Sequence, residues 1–486
     1  MNVGHRPSRE APVESLTHTG NETAAMPGGE PPSAGIAPDT TALRAPRPPF
    51  VRGLPFIGNA WEMGTDPGAF FVRCYREVGP IFRICLFNKP YTVLAGPEAN
   101  RFIAREGDTH LRSKEFWQEF VDEFGAKKTL INTDGEMHDK IRKVMKRGFG
   151  RASISGRYQE LIDITDRMLQ DEWQPGQRLR VVPAMQHLAA EQLGIMVAGR
   201  APGEYVDDLR LFIRHALNVL VVHMRPRIML RMPDYRRAKK RIFELGQRMI
   251  DSYDPSRVDP KQPTLIDDIM AAAKQDETLF EGAELMIAVL GPYFAGLDTV
   301  ANTTSAMLYA VLKHRDVHEQ VLAEVDRVFA AGPVTPESLR NMPVLHGAVM
   351  ETLRMYPIAV AAMRNATRDF EFAGHLVEQD EPLFIAITVS HFLEQFYSIP
   401  TKFDITRFAP PRNEHKQAGA FAPFSLGDHT CLGVGIAEVQ IALTMATLFH
   451  RLQMELAPSD YQMRMKVAPT PGPELKFSVR VLGRRH

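Results

Sequence analysis

The chain is expected to be mainly α-helical with a smaller β part, built as a single large helical domain. Three observations predict this. Residues 134–352 form long amphipathic runs broken at Pro202-Gly203, Asp259-Pro260, Gly332-Pro333 and Met342-Pro343. Residues 285–312 carry one charge, Asp298, which suits a helix buried on every side of a large core. Short alternating segments stand on both sides of the helical stretch. With 486 residues, 44% hydrophobic and 24% charged, the chain can bury roughly three quarters of its unfolded surface.

Composition excludes several classes of function. Lys+Arg and Asp+Glu are both 58, so the basic excess of a general nucleic-acid binder is missing and no nucleic-acid partner is expected. The cysteines are Cys74, Cys85 and Cys431. Three are too few for a disulfide framework or for a four-cysteine zinc or iron–sulfur centre within one chain. A reduced, cytoplasmic protein is the expectation. No glycine-rich phosphate loop links a strand to a helix, so the chain is not expected to carry its own flavin or nicotinamide domain.

The elements are justified in order. Residues 1–45 are rich in Pro, Gly, Ala, Ser and Thr and read as a disordered tail, because they cannot bury enough apolar surface to offset their ordering entropy. A transit peptide would share Arg6 and Arg9, but four glutamates, Glu10 to Glu30, fit it poorly. The ordered domain is expected over 46–486. Residues 81–86 alternate as a strand, with 91–94 as its hairpin partner and Asn88-Lys89-Pro90 at the turn. The 285–312 segment is long enough to span a bilayer. Pro292, Gly291, Gly296, Asn302 and the mid-segment Asp298 argue for a core helix instead, so no transmembrane anchor is expected. Strands return at 370–372 and 382–387. A last helix follows Cys431 to about Leu452.

Cys431 is the informative cysteine. It lies in Phe424-Ser425-Leu426-Gly427-Asp428-His429-Thr430-Cys431-Leu432-Gly433, ahead of a helix whose N-terminus is expected to lower the thiol pKa. A thiolate suits a soft metal such as haem iron. Gly427 and Gly433 would let a flat macrocycle approach the backbone. A lone cysteine before a helix is otherwise buried filler; here the flanking spacing decides.

Phe424, Gly427, Cys431 and Gly433 match F-x-x-G-x-x-x-C-x-G, and the chain resembles the cytochrome P450 family from about Pro46 onward. Glu351 and Arg354 match the family's E-x-x-R, with Arg407 as the third member of a structural triad. The usual Pro-Glu before Arg-Phe is Ile405-Thr406 here. Ala295-Gly296-Leu297-Asp298-Thr299 matches A/G-G-x-D/E-T. The resemblance implies that Gly296 leaves room for dioxygen and that Asp298 and Thr299 deliver protons. Thr299 would also serve as a residue that bonds the preceding turn and bends the helix. His138 and Arg142, with Arg364 and His429, resemble haem-propionate contacts.

The resemblance implies the cytochrome P450 fold, with haem b (iron protoporphyrin IX) between the buried central helix and the cysteine-loop helix, and Cys431 as the iron ligand. The implied activity is that of a monooxygenase that hydroxylates or otherwise oxidises a lipophilic small molecule (a lipid, terpenoid, steroid or fatty acid) with two electrons from outside. The small apolar stretch 357–363 and the mixed apolar and arginine-rich stretch 212–232 carry the lipophilic expectation. Lys140, Lys143 and Arg147 offer either a docking face for a donor such as ferredoxin with its reductase, or a solvated basic face. The chain is read as a monomer. Two alternatives are a haem-binding sensor or carrier without turnover, and a peroxide-using or isomerase relative. The latter tends to lose the acid–alcohol pair kept here.

Overall fold

The computed structural model describes residues 45–260 and 262–486. The tail expected over 1–45 lies outside them apart from its last residue.

The strand Ile81–Leu86 pairs antiparallel with Lys89–Ala95. The turn between them is Phe87-Asn88, at φ of 48° and 66°, and not 88–90 as expected. Two left-handed residues match the right-handed twist of the strands they join, so Lys89 and Pro90 are freed to enter the second strand. That strand continues in parallel with Pro382–Ala386, which pairs antiparallel with Ala362–Ala366 and through it reaches Leu111–Arg112. A three-stranded sheet joins Arg178–Arg180, Ser478–Arg484 and Leu452–Leu456.

Helices begin well before residue 134. Pro67–Val78 starts on Pro67 at its first turn, with the Asp66 carboxylate accepting from the Ala69 N–H at 2.9 Å. Gly96–His110 and Lys114–Asp122 follow. The central helix runs over Ala283–Lys313, with Pro292 inside it. It packs against the helices Val181–Ala198, Pro343–Met355 and Val434–Arg451. It is long and apolar enough to cross a membrane, yet 56% of its most apolar window is buried inside the protein, as the core reading requires. Its buried hydroxyls turn back on the helix: Thr303 donates to Thr299 O, Thr304 to Val300 O and Ser305 to Ala301 O, at 2.6–2.9 Å. The backbone thereby satisfies polar atoms that would be costly to bury unpaired.

A buried ion triad fixes the region beneath the cysteine loop. Arg354 grips Glu351 with two bonds of 2.7 Å, and Arg407 Nε reaches Glu351 Oε1 at 3.2 Å; all three side chains are fully buried. Arg354 also donates to His391 O, and Arg407 to Ile399 O and to Glu414. Replacing Pro-Glu by Ile405-Thr406 leaves the turn intact: Asp404 accepts from the Thr406 N–H and hydroxyl, and Arg412 bonds Asp404. A local Asx cap thus substitutes for proline rigidity.

Candidate active site

The cysteine loop is closed by its own backbone. The Cys431 N–H donates to Phe424 O at 2.8 Å, and the Thr430 N–H and hydroxyl both donate to Gly427 O. The Phe424 ring packs on the main core. Gly427 has a φ of 72°, and a Cβ there would collide with the carbonyl of Ile103. Its missing side chain is therefore explained by packing against the Gly96–His110 helix, and not by space for a macrocycle. Gly433 is different: a Cβ there would lie 3.8 Å from the Cys431 sulfur and from the Phe149 ring.

The expectation of a lowered Cys431 pKa is not met. The side chain is accessible but set among protein atoms, and that burial pushes the thiol up. The Gly433 N–H and the charge on Arg142 pull the other way and do not win. The helix itself starts only at Val434, so its dipole acts at a distance. A coordinated metal cation, and not the helix, would deprotonate this thiol.

Around the loop, Arg142 donates to Thr430 O at 2.8 Å, and the His138 and His429 rings lie 4.3 Å apart. His138, Arg364 and His429 line one cleft. His429 is engaged by Asp134, with Nε2 2.8 Å from Oδ1, so its first partner is a protein carboxylate. Asp134 also accepts from the Ser113 N–H; burial opposes its charge, but His429 and Ser113 hold its pKa below the usual range. Asp134 carried no sequence signal, since its partner lies 295 residues away. Burial and the neighbouring His429 and Arg142 push the His138 pKa down, and its Nε2 is buried without a partner.

On the central helix, Thr299 donates to Ala295 O at 2.7 Å, which is the bond of a helix-bending threonine. Ala295 is exposed and Thr299 partly so, while Leu297 and Val300 are buried. Gly296 points elsewhere: a Cβ there would sit 3.0 Å from Leu193 Cδ1, so this glycine serves the approach of the Val181–Ala198 helix. Ala295 is the small residue beside Thr299. Asp298 is buried and accepts from Gln186 Nε2 at 2.6 Å and from Thr470 Oγ1 at 3.4 Å. Gln186 Oε1 accepts from Arg210 Nε at 2.9 Å, and Arg210 pairs with the exposed Asp207 at 2.8 Å. Gln186 and Arg210 were not legible as site residues. Phe294, next to Ala295, packs with Phe120, Phe124 and Phe212 at centroid distances of 5.2–5.9 Å, an apolar wall that the sequence also left unmarked.

These residues fit a haem. Cys431 offers an accessible sulfur. Arg364 is buried, donates only to the Met363 carbonyl, and among the described residues meets no carboxylate at ion-pair distance. Burial brings its pKa down to about 10, the mark of a guanidinium that lacks an anion. Together with the unpartnered His138 Nε2, it makes a donor set apt for carboxylate arms. The Cytochrome P450 family model matches residues 48–477, and the chain belongs to that family. Its cofactor is haem b. It is 27% identical over 430 residues to cytochrome P450 139 of Mycobacterium tuberculosis, covering 85% of this chain and 97% of that one. It is 25% identical over 418 residues to the sterol 14α-demethylase of Mycolicibacterium vanbaalenii, covering 83% and 91%. The structure of retinoic acid-bound cyanobacterial CYP120A1 superposes with a TM-score of 0.76 at 22% identity, covering 90% of this chain and 99% of that chain.

Proposed function

We propose that the protein is a cytoplasmic monooxygenase that takes two electrons from an external donor and oxidises a lipophilic small molecule. The observation that carries this is the retained acid–alcohol pair: Thr299 is accessible on the central helix, and Asp298 is buried beside it with defined partners. Haem b, which Cys431 would hold through its sulfur, would supply dioxygen activation, a thiolate ligand favouring O–O cleavage. Arg142, Arg364 and His138 would hold its carboxylate edge. Thr299 donates its hydroxyl proton to Ala295 O and leaves the Oγ1 lone pairs to accept a hydrogen bond on its accessible side. Asp298 is held in place by the amide N–H of Gln186, which donates to its Oδ1. Neither an amide nor a guanidinium gives up protons readily, so Gln186 and Arg210 orient Asp298 and do not themselves conduct.

The lipophilic preference rests on the Phe120–Phe124–Phe212–Phe294 cluster, on the partly exposed Ile358, Val360 and Met363, and on the exposed Met224 and Ile228 in the 212–232 stretch. A sterol and retinoic acid, named for two of the similar proteins, are ligands of that kind. For the donor, Lys140 is paired with Glu136 and Arg147 with Asp268, so Lys143 and its exposed neighbour Lys146 are the cations left for an acidic ferredoxin. The test is turnover with a ferredoxin and its reductase across a lipid and terpenoid panel. Oxidised product that depends on both dioxygen and the donor supports the proposal. Tight ligand binding with no product under any donor would leave a sensor or carrier instead.

A further inference from the structure

The stretch that joins the helices Val206–Ala216 and Pro233–Asp251 concentrates positive charge in a chain whose net charge is zero. From His223 to Lys240 there are seven cations and one acid, Asp234. Three long apolar side chains, four residues apart in turn, stand out from the same stretch: Met224, Ile228 and Met232 are 59%, 62% and 42% exposed. We propose that this face binds the surface of an anionic lipid bilayer, lying on it and not crossing it.

The local fold imposes this exposure. Met229 and Leu230 pack on the core, and Tyr235, Ala238 and Ile242 bury the inner face of the helix that follows. The short helix Arg227–Arg231, with Pro226 before it and Pro233 two residues after it, is left with Ile228 and Arg231 outside, next to Met232. A single exposed apolar residue needs no explanation, but three together among cations do. The protein's own acids satisfy only part of the charge. Arg227 pairs with Glu119 at 2.6 Å, Lys239 with Glu123 at 2.7 Å, and Lys240 stands 3.8 Å from Glu244. Arg225, Arg231, Arg236 and Arg237 are exposed, and among the described residues their guanidiniums have neither a hydrogen bond nor an ion pair. Guanidiniums bind phosphate through paired hydrogen bonds, while their stems lie along apolar surface. Aliphatic chains that enter the acyl boundary between such cations are what an interfacial element needs. An acidic protein would use the charges and has no need of three protruding aliphatic chains. A second copy of this face would set arginine against arginine across a two-fold axis. A bilayer with anionic headgroups uses both the charges and the apolar chains. The face is also separate from Lys143 and Lys146, which lie on Gly135–Lys146, the helix whose Arg142 bonds the cysteine loop. Behind it, Tyr235 stacks on Phe212 at 5.4 Å, and Phe212 packs on Phe294 at 5.7 Å, beside Ala295. A lipophilic substrate dissolved in the bilayer would therefore arrive at the aromatic wall of the site. That consequence rests on the monooxygenase reading; the docking itself does not.

The test is co-sedimentation of the haem-loaded full chain with vesicles of phosphatidylcholine alone and of phosphatidylcholine mixed with phosphatidylglycerol. The chain should pellet with the mixed vesicles and stay in solution with the neutral ones. Salt at about 1 M, where the screening length is about 3 Å, should release most of it. Arg231→Gln combined with Arg237→Gln should weaken binding by roughly tenfold. Ile228→Ser combined with Met232→Ser should weaken it by a similar factor, roughly tenfold. These positions are exposed, and the carbon monoxide difference spectrum should be unchanged in both variants. No binding of the unaltered chain to mixed vesicles, equal binding to neutral ones, or binding kept in full by both variants would overturn the proposal. So would self-association without lipid that Ile228→Ser with Met232→Ser abolishes, since a second copy would then be the occupant. Vesicle binding is read without turnover, so its failure is distinct from a failure of the oxidation reading.

Discussion

Thr299 and Glu351 separate residues that act on the reaction from residues that hold the structure. The Thr299 hydroxyl bonds only its own helix, so Thr299→Ala should change stability by no more than about 1 kcal/mol. Product formed per electron consumed should fall, and hydrogen peroxide release should rise. Unchanged coupling, measured as NADPH consumed against product, would reduce Thr299 to a helix-bending residue. Glu351 is the opposite case. Glu351→Gln leaves two buried guanidiniums, Arg354 and Arg407, short of their counter-charge. Urea unfolding of the haem-loaded protein should show a loss of about 3–5 kcal/mol. Single residues with sequence spacing, such as Cys431 and the Glu351–Arg354 pair, were legible because a loop or a helix turn brings the partners together. Asp134–His429 and Gln186–Asp298 were not, because 295 and 112 residues separate them. The direction of the Cys431 pKa was misjudged for a related reason: burial, which only the fold determines, outweighs the local helix.

At the scale of elements, the central helix was readable from its lack of charge, and its ends fall within two residues of expectation. The helices before residue 134 were missed although they run to 12 and 15 residues, because their starts are set by caps such as Asp66-Pro67 and not by long periodicity. The hairpin was placed correctly, but its turn was shifted by one residue, since proline suggested a turn where a tight two-residue link had already reversed the chain. Gly427, expected to make room for the cofactor, and Gly296, expected to make room for dioxygen, serve contacts between elements. Gly427→Ala combines a left-handed φ with a collision at the Ile103 carbonyl. It should cost about 1–3 kcal/mol and lower the haem content of purified protein. Full haem content and an unchanged melting midpoint would contradict this packing role. The link between helices also predicts a kinetic effect. Gln186→Leu removes the donor that pins Asp298, so turnover should drop and its solvent isotope effect should change, with substrate affinity kept. An unaltered isotope effect would separate Gln186 from proton delivery.

The whole molecule depends on a buried link between the ion triad and the cysteine loop. His391 Nδ1–H donates to Arg354 O at 3.1 Å, and its Nε2 accepts from the Ala422 N–H at 3.0 Å. Burial, with Arg354 adding to it, brings this imidazole down to about 3. The unfolded chain binds a proton near 6.5 and the folded one does not, so the contribution of His391 is complete above pH 6.5 and is lost as pH falls toward 3. The slope has an upper bound of about 1.4 kcal/mol per pH unit. Unfolding midpoints across this range should fall less steeply in His391→Gln than in the unaltered chain; parallel curves would assign the acid sensitivity to other groups.

The central claim is that Cys431 binds haem iron as a thiolate inside this fold. The direct test is the carbon monoxide difference spectrum of the dithionite-reduced protein, taken with Cys431→Ala alongside. A strongly red-shifted Soret band, lost in the variant, is the predicted result. A band at the position of a nitrogen- or thiol-ligated haem, or one indifferent to the substitution, would contradict it.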